Sequence, residues 1–287
     1  MNTGTNDIST WPVRLGIRSG ETILLMADLT RMAWNTRRSG KRFRAADLLD
    51  AFADATGPDG TLLVPTYNYD LDDGAAFDVR RTRSISGALA NAAIDHPRFL
   101  RTPHPLHSFA VCGTGTEELI HTAERSSFGP RSPFAFLLAH KASLIVIDLP
   151  LNDALTFAHF TEETTGVPYR RHRPLRIRYT DAEGRTTERD FSLYAKKPGH
   201  HMDFSQLEHM AEHDGALAHI DLGGPRAIRL ELPWVHAMVE HDIRTNHARR
   251  IHQFRWSWWL RDHTRSLLRT FGIRTRRERT AHAARTA

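Results

Sequence analysis

The sequence is poor in cysteine and in long apolar runs. Cys112 is the only cysteine among 287 residues, which excludes an internal disulfide and a zinc site built from several thiolates. No stretch approaches the ~18 consecutive apolar residues that a membrane-spanning helix needs. The first residues, up to Trp11, lack the basic and apolar regions of a secretory signal. Together these absences predict a cytoplasmic protein.

Lysine is missing from the C-terminal part of the chain, where the positive charge is concentrated. Between Arg244 and Ala287 there are 12 Arg against Asp262 and Glu278, a balance of +10, whereas the whole chain carries only +6. The rest of the chain is therefore mildly acidic, at −4. This division predicts one folded domain over 1–245 and an Arg-rich amphipathic extension over 246–287.

The composition is that of a globular protein. Hydrophobic residues make up 40% of the chain and charged residues 25%, which excludes a wholly disordered protein. A chain of this length buries roughly three quarters of its unfolded surface on folding. Its core therefore needs neither a disulfide nor a structural metal.

Buried strands and amphipathic helices alternate through the first half of the chain. Continuous apolar runs are typical of parallel strands covered on both faces, and Ser143–Ile147 is the clearest example. The alternation predicts an α/β fold with a mostly parallel sheet flanked by helices. We expect strands at 23–26, 61–65, 109–112 and 143–147, and helices at 45–55, 85–94, 116–124 and 133–140.

The pattern changes after Pro168. Apolar and polar residues alternate at 175–179 and again at 189–194, with a turn sequence at 181–184 between them. This pattern predicts a β-hairpin that leaves the α/β core. A helix near 204–212, a strand at 227–232 and a helix around 235–243 complete the folded body.

A polar segment at 152–163 follows the strand Ser143–Ile147. Ligands of open parallel sheets bind at the carboxyl ends of the strands, and this segment begins at such an end. On a helix, His159 shares one face with Glu162 and Glu163. A carboxylate there can fix the imidazole tautomer and stabilise the imidazolium, as a general base requires. The same spacing also fits an amphipathic helix whose His and Glu face water.

Two loops add further candidate residues. A proline-stiffened loop carries His104, His107 and Ser108 directly before the strand at 109–112. Farther along, residues 129–133 lead into a helix, whose first N–H groups favour anions. Either loop alone is also typical of a structural connection.

Taken together, these segments resemble the aminoglycoside 3-N-acetyltransferase family (antibiotic N-acetyltransferases). The likeness runs in order and at similar spacing from about residue 15 to about residue 243. Its segments lie at 60–66, 104–108, 129–133, 156–162, 167–168 and 203–204.

The resemblance implies an α/β acyltransferase that moves an acetyl group from acetyl-CoA to an amine of an amino sugar or aminoglycoside, which fits a role in antibiotic resistance. It implies that His159 is the catalytic base and that Glu162 orients it or holds a cationic substrate. We expect the donor to contact Ser108, His107, Gly129, Ser132 and Arg31, and the acceptor to contact Tyr67, Asp70 and Glu163. Candidate donors to the carbonyl oxygen are Thr66, Ser108 and backbone N–H groups near Gly129.

The chain departs from the family at the turn after its first strand. The family has a His-Ser-type turn there that helps to bind the CoA pyrophosphate, whereas this chain has Met26 and Asp28. An aspartate repels a pyrophosphate. Either Arg31 and the basic loop at 37–44 take over phosphate binding, or the donor is a longer acyl-CoA or an acyl group on a carrier protein. A non-catalytic binding protein on the same fold is a further hypothesis.

The C-terminal extension mixes tryptophans with arginines at 252–261. This mixture predicts a basic amphipathic helix that binds an acidic protein, such as a carrier protein, or an anionic membrane surface; nucleic acid is the less favoured partner. Alternatively, the tryptophans dock the helix on the body and the arginines point outward. From Arg274 onward apolar residues are scarce, and we expect disorder there.

Histidine is abundant, with 18 residues, and His209 and His213 are spaced four apart on a predicted helix. They lack the Glu of a His-Glu-x-x-His arrangement. We therefore expect no metal site.

Overall fold

The computed structural model describes residues 8–40 and 42–270, so the stretch from Arg274 onward lies outside the described residues. Its helices are α1 (Trp11–Arg14), α2 (Thr30–Arg38), α3 (Ala45–Thr56), α4 (Ala88–Ile94), α5 (Thr116–Ile120), α6 (Pro133–Ala139), α7 (Leu151–Ala154), α8 (Ala158–Thr165), α9 (Ser205–His213), α10 (Leu232–Asn246) and α11 (Trp256–Thr270). Its strands are β1 (Thr22–Ala27), β2 (Thr61–Pro65), β3 (Ala76–Asp78), β4 (Leu100–Arg101), β5 (Phe109–Gly113), β6 (Ser143–Ile147), β7 (Arg170–Thr180), β8 (Thr186–Lys196), β9 (His200–Met202), β10 (Leu217–Asp221), β11 (Arg226–Glu231) and β12 (His252–Phe254).

A seven-stranded sheet forms the centre, in the order β10-β11-β6-β1-β2-β5-β4. β1 pairs in parallel with β2 on one side and with β6 on the other. The strands toward both edges pair antiparallel. The prediction of an α/β fold with a mostly parallel sheet flanked by helices is confirmed at the centre of the sheet, where β6, β1 and β2 pair in parallel. Because the chain leaves β1 toward β2 and later returns to its other side as β6, the strand order reverses between β1 and β6.

Helices cover both faces of this sheet because successive strand residues point to opposite sides. Leu24 and Leu144 are buried in a cluster with side chains of α6, α8 and α10. Their neighbours Ile23 and Ile145 are buried in a second cluster on the other face, with side chains of α1 and α3. Each apolar strand therefore contributes to two core layers.

Helix α3 illustrates how the sequence forms these layers. Leu48, Leu49 and Phe52 recur at helical spacing and are fully buried. Gly57 follows with a φ of +69°, a conformation that favours glycine and ends the helix.

A second sheet carries the hairpin. β7 and β8 pair antiparallel over eleven residues each, and β3 lies parallel to β7. Leu175, Ile177 and Phe191 bury one face of this sheet against Phe77. The open end of the hairpin pairs Arg170 with Lys196. Those two residues lie at the candidate active site.

The C-terminal segment joins the body through an antiparallel pair of β12 with β9. His252 on β12 stacks on Tyr169, with ring centroids 3.9 Å apart and planes 5° apart. The following helix, α11, leaves Trp256 70% exposed and Leu260 60% exposed. Among the described helices, none is sufficiently long and apolar to cross a membrane.

Candidate active site

Helix α8 presents His159 and Glu162 on one face. They are the second and fifth residues of this helix, and Gly166 in the left-handed conformation ends it. His159 Nδ1 lies 2.7 Å from Glu162 Oε2. Because an ionised carboxylate only accepts hydrogen bonds, Nδ1 carries the proton and Nε2 is the basic nitrogen. The structure thus brings these two predicted residues together.

The Glu162 carboxylate is fully buried, and its neighbours stabilise the ionised form. Tyr169 donates its hydroxyl to Oε1 at 2.8 Å, and Arg170 Nε lies 2.6 Å from Oε2. Burial alone would raise the pKa of Glu162, but His159, Arg170 and Tyr169 outweigh burial and lower it. Glu162 is therefore a carboxylate at neutral pH and holds His159 in one tautomer.

Arg170, at the start of β7, places a positive charge beside the imidazole. Its Nη2 lies 2.8 Å from His159 Nδ1 and 3.2 Å from His159 Nε2. Burial and this charge lower the pKa of His159, although Glu162 opposes the shift. A lowered pKa keeps the imidazole unprotonated at neutral pH. Arg170 Nη2, which can only donate, must leave Nε2 when that nitrogen accepts the amine proton. The sequence analysis assigned no role to Arg170, because nothing in the spacing indicates that β7 returns to α8.

His159 opens into a cleft of about 1150 Å³. Its side chain is 22% exposed, so the ring is buried on one side and accessible on the other. The walls come from the ends of β1 and β2, the start of α2, the loop before α4 and the segment that leads into α8. This volume exceeds the roughly 300–1,000 Å³ of a pocket for one small ligand. The cleft is therefore large enough for two substrates to meet at His159.

Charged groups of both signs line the cleft. Arg170 and Lys196 contribute positive charges, and Arg170 contacts His159. Asp28, Asp153 and Tyr69 contribute acidic and hydroxyl groups to its lining. Neither Asp153, on the short helix α7, nor Tyr69, in the loop after β2, has a spacing that marks it as a site residue in the sequence.

Tyr67 and His107, both predicted to bind substrates, line the cleft. Their rings meet edge to face, with centroids 4.9 Å apart. Burial raises the pKa of Tyr67 well above its usual range and lowers the pKa of His107 well below its own. Both side chains are therefore uncharged at neutral pH. The predicted acceptor residue Asp70 is exposed and lies outside the lining of the cleft.

Ser108 is fully buried behind the cleft wall, in a network around Arg101. Its hydroxyl donates to the Thr66 carbonyl at 2.8 Å and lies 3.0 Å from the Thr66 hydroxyl. Arg101 Nε donates to the Ser108 hydroxyl at 2.9 Å. These contacts direct Ser108 toward the interior, although it is adjacent to His107 in the sequence.

Gly129, Ser132 and Glu163 lie on the far side of that wall. The Ser132 side chain caps the start of α6, and a Cβ at Gly129 would lie 2.4 Å from the Glu124 carboxylate. Glu163 accepts a hydrogen bond from Ser126 at 2.7 Å. Ser132, Glu124 and Ser126 line a separate cavity of about 160 Å³. The structure does not bring these three predicted residues to the lining of the cleft.

Arg31 lies in a second cavity of about 1020 Å³ on the other side of α2, which we term the outer groove. It donates to Asp148 at 2.9 and 2.5 Å and to the Gly224 carbonyl at 2.7 Å. The outer groove also contains Arg37, Arg226 and the 62% exposed Trp34. The residues that it shares with the cleft are Asp28, Thr30, Ala33 and Leu149.

A surface cluster on α9 and β10 brings Glu208, Glu212 and His219 together, with one potential ligand atom from each within 4.8 Å of the others. His219 Nε2 is hydrogen-bonded to Glu212 Oε1 at 2.6 Å. His213 pairs with Asp214 instead, at 3.0 Å. The cluster is thus held by its own hydrogen bonds on the protein surface.

The chain matches known proteins over most of the folded body. The model of the family described as aminoglycoside 3-N-acetyltransferase matches residues 36–241. Aminoglycoside N(3)-acetyltransferase IX from Micromonospora chalcea is 26% identical over 181 residues, which cover 55% of this chain and 60% of that protein. The chain therefore spans about three fifths of the length of this curated relative.

Solved structures share the fold. AAC-IIIb in a binary structure with CoASH superposes with a TM-score of 0.70 at 20% identity, covering 84% of this chain and 97% of that one. AAC-VIa bound to sisomicin gives a TM-score of 0.65 at 20% identity, with 82% and 95% covered. The family match confirms the resemblance inferred from the sequence motifs.

Proposed function

The chain belongs to the aminoglycoside 3-N-acetyltransferase family, and from this premise we propose that it transfers an acetyl group from acetyl-CoA to an amine of an aminoglycoside or related amino sugar. His159 acts as the general base. The observation that carries the proposal is the buried arrangement of His159, Glu162 and Arg170 at one end of a cleft large enough for donor and acceptor.

The reaction needs a base because an amine attacks a thioester only as the free base. As the nitrogen–carbon bond forms, the amine proton passes to His159 Nε2. Glu162 stabilises the resulting imidazolium through Nδ1–H. The carbon–sulfur bond then breaks, and the proton returns to the leaving thiolate. The products are an amide and a free thiol.

The positive charge of Arg170 disfavours the imidazolium and so makes it a stronger acid. The proton that His159 has taken from the amine is consequently released readily to the thiolate. Arg170 thus lowers the pKa of His159 and Glu162 raises it. The basicity of the ring lies between that of an imidazole beside a guanidinium alone and that of an imidazole beside a carboxylate alone.

The acceptor binds to acidic and hydroxyl groups in the lining of the cleft. An amino sugar carries several ammonium groups, and Asp153 together with Tyr69 offers a carboxylate and a hydroxyl in the lining. Tyr67 adds a neutral hydroxyl deeper in the same wall. Glu163 accepts a hydrogen bond from Ser126. Its contribution to the acceptor site is therefore indirect: this bond helps to position α8.

We place the donor beside the point where the strand order reverses, between β1 and β6, because open α/β sheets bind ligands at such points. The outer groove lies at this position and carries Arg31, Arg37 and Arg226. Because Arg31 is already paired with Asp148, Arg37 and Arg226 are the stronger candidates for contacts to donor phosphates. The turn after β1 precedes the segment that the family model matches, so acetyl-CoA is proposed from the family and the cleft and not from this turn.

The test is an acetyl-transfer assay with purified protein, acetyl-CoA and a panel of aminoglycosides. Released thiol and the mass of the acetylated product are both measured. His159→Ala lowers kcat by roughly 10² to 10⁴ if His159 is the base. His121→Ala is the matched control, since this exposed histidine directly after α5 is hydrogen-bonded to Glu117 and does not line the cleft. Absence of any acetylated product with the wild-type protein contradicts the proposal.

A carrier-protein thioester is a second candidate donor. Asp28 at the turn after β1 disfavours a pyrophosphate, and the 12 Arg from Arg244 onward favour an acidic partner such as a carrier protein. In this version the same cleft and the same base act on an acyl group delivered by a protein. A donor panel that includes an acylated carrier protein distinguishes the two candidates.

A further inference from the structure

We propose that His107 is a second catalytic residue, a neutral imidazole whose Nε2–H donates a hydrogen bond to the carbonyl oxygen of the acyl group. This inference rests on the proposed acyl transfer, in which that oxygen gains negative charge as the amine attacks. No step transfers the Nε2 proton. The hydrogen bond strengthens as the tetrahedral intermediate forms and weakens as the thiolate leaves.

The position of His107 meets the first requirement, which is access to the reacting group. His107 lines the cleft that also holds His159. The Phe128 ring contacts both imidazoles, with its centroid 5.2 Å from that of His107 and 6.0 Å from that of His159. A thioester carbonyl beside Phe128 is therefore close to both the base and His107.

The second requirement is a proton on the ring nitrogen that faces the cleft, and hydrogen bonds behind the wall supply it. His104 Nδ1 accepts the backbone N–H of Leu106 at 3.2 Å, so His104 carries its proton on Nε2 and donates it to the Arg125 carbonyl at 3.2 Å. The acceptor capacity of His104 Nδ1 is thus already used.

Ser127 then decides the tautomer of His107. Its hydroxyl lies 2.7 Å from His107 Nδ1 and 3.3 Å from His104 Nδ1. Because His104 Nδ1 already accepts the Leu106 N–H, we assign the hydroxyl proton to His107 Nδ1, which leaves the hydrogen of His107 on Nε2. Among the residues that the structure describes, Nε2 has no hydrogen-bond partner. Its N–H is therefore available to a ligand in the cleft.

The third requirement is a neutral ring, because an imidazolium would give its proton away. Burial is the main cause that holds the pKa of His107 well below its usual range, and the positive charge of Arg170 and the neighbouring imidazoles of His104 and His159 lower it further. A neutral imidazole polarises a carbonyl without protonating it. His107 and His159 are thus both uncharged at rest but act in opposite senses, one as a donor and one as an acceptor.

The Ser108 and Thr66 hydroxyl groups near this wall are already engaged. Ser108 donates to the Thr66 carbonyl, and Arg101 donates to both the Ser108 and the Thr66 hydroxyls. Both side chains are fully buried. The two residues expected from the sequence to hold the carbonyl oxygen therefore face away from it, whereas their neighbour His107 does not.

Steady-state kinetics test the role of His107 directly. His107→Phe keeps a ring of similar size and removes the donor, and we expect kcat to fall by about 10² to 10³ while KM for acetyl-CoA changes little. His107→Gln restores an N–H near the Nε2 position, and part of kcat returns. A kcat for His107→Phe within about threefold of wild type overturns the inference. A wild-type protein without acyl transfer contradicts the proposed function, and this inference falls with it.

A spectroscopic measurement separates catalysis from structure. The His159→Ala variant turns over roughly 10² to 10⁴ times more slowly, and the measurement is made without an amine acceptor. We expect the ¹³C-labelled thioester carbonyl of bound acetyl-CoA to absorb at a lower infrared frequency than in solution, because a donor weakens the C=O bond. In the double variant with His107→Phe the band returns toward its solution frequency. An unchanged band in the double variant overturns the inference even if kcat falls.

Discussion

At the scale of single residues, the pKa of His159 depends on the balance between burial, the Arg170 guanidinium and the Glu162 carboxylate. Glu162 and Arg170 neutralise each other within 2.6 Å, and His159 contacts both. An imidazole beside a carboxylate alone would have a raised pKa and would be protonated more often at neutral pH. The guanidinium reverses that shift, so that the ring is a free base before the substrates bind.

The pH profile of an Arg170 variant tests this balance. His159 must be unprotonated to act, and its lowered pKa places the acidic limb of kcat/KM below the ordinary histidine range. The groups that face the ring are Glu162, Arg170, Lys196 and His107. In Arg170→Gln the repulsion is lost and the Glu162 charge is less compensated, so the acidic limb moves to higher pH.

Lys196→Gln is the matched control for this experiment. Lys196 also lowers the pKa of His159, but it is the weakest of the contributions. Its removal shifts the acidic limb in the same direction by a smaller amount. If Arg170→Gln leaves the limb where it is in the wild type, the charge of Arg170 does not set the basicity of His159.

The sequence supports the prediction of some of these residues and not of others. His159 and Glu162 are three positions apart on one helix, so local spacing predicts their contact. Arg170 reaches the same ring from another element, and only the tertiary fold defines that approach. His107 and Ser108 are adjacent, and the sequence does not determine which of them faces the cleft. The network around Arg101 determines it.

At the scale of elements, apolar runs predicted the central strands but not their directions. The runs at 23–26, 61–65, 109–112 and 143–147 correspond to β1, β2, β5 and β6. β5 nevertheless pairs antiparallel with β2, because strand direction depends on the intervening chain and not on hydrophobic periodicity. Two- and three-residue strands such as β3 and β4 are too short to produce a recognisable pattern.

The close approach of β2 and β5 gives a stability prediction at this scale. Gly113 has a φ of +107°, and a Cβ there would lie 2.1 Å from the Gly60 carbonyl oxygen. We expect Gly113→Ala to lower the free energy of unfolding by more than ~3 kcal/mol, since backbone strain and overlap add. Urea denaturation followed by circular dichroism measures the loss.

Gly20→Ala separates the two contributions. Gly20 also has a positive φ, of +87°, but nothing lies within 4 Å of a Cβ there. This variant therefore reports the backbone strain alone, about 1 kcal/mol. Equal losses for the two variants would mean that the neighbouring strand yields and that the overlap contributes nothing.

At the scale of the whole molecule, the division of charge at residue 245 does not coincide with a gap in the contacts. β12 pairs with β9, and His252 stacks on Tyr169, whose hydroxyl donates to Glu162. The charge pattern predicted an extension, but pairing between residues about 50 positions apart is not visible in composition. The first part of the extension therefore supports the candidate site.

Two truncations test the roles within the extension. Ending the chain after Thr245 removes β12, and we expect lower thermal stability and a reduced kcat with acetyl-CoA, because Tyr169 loses its stacking partner. Ending it after Thr270 keeps β12 and α11 and leaves that kcat unchanged. With an acylated carrier protein as donor, the second truncation lowers turnover if the Arg-rich end recruits the carrier. Equal kcat values for both truncations with acetyl-CoA would exclude a supporting role for β12.

The partition between the cleft and the outer groove has a consequence for selectivity. The same four residues, at the start of α2 and after β6, form part of the lining on both sides. A ligand that shifts these four residues from one cavity changes the volume of the other cavity and so the affinity for the second ligand. The second ligand then changes the affinity for the first by the same factor. Because Ala33 lines both cavities, we expect Ala33→Leu to narrow both and so to change the affinities of both ligands. Selectivity for the donor and selectivity for the acceptor are therefore linked at this position.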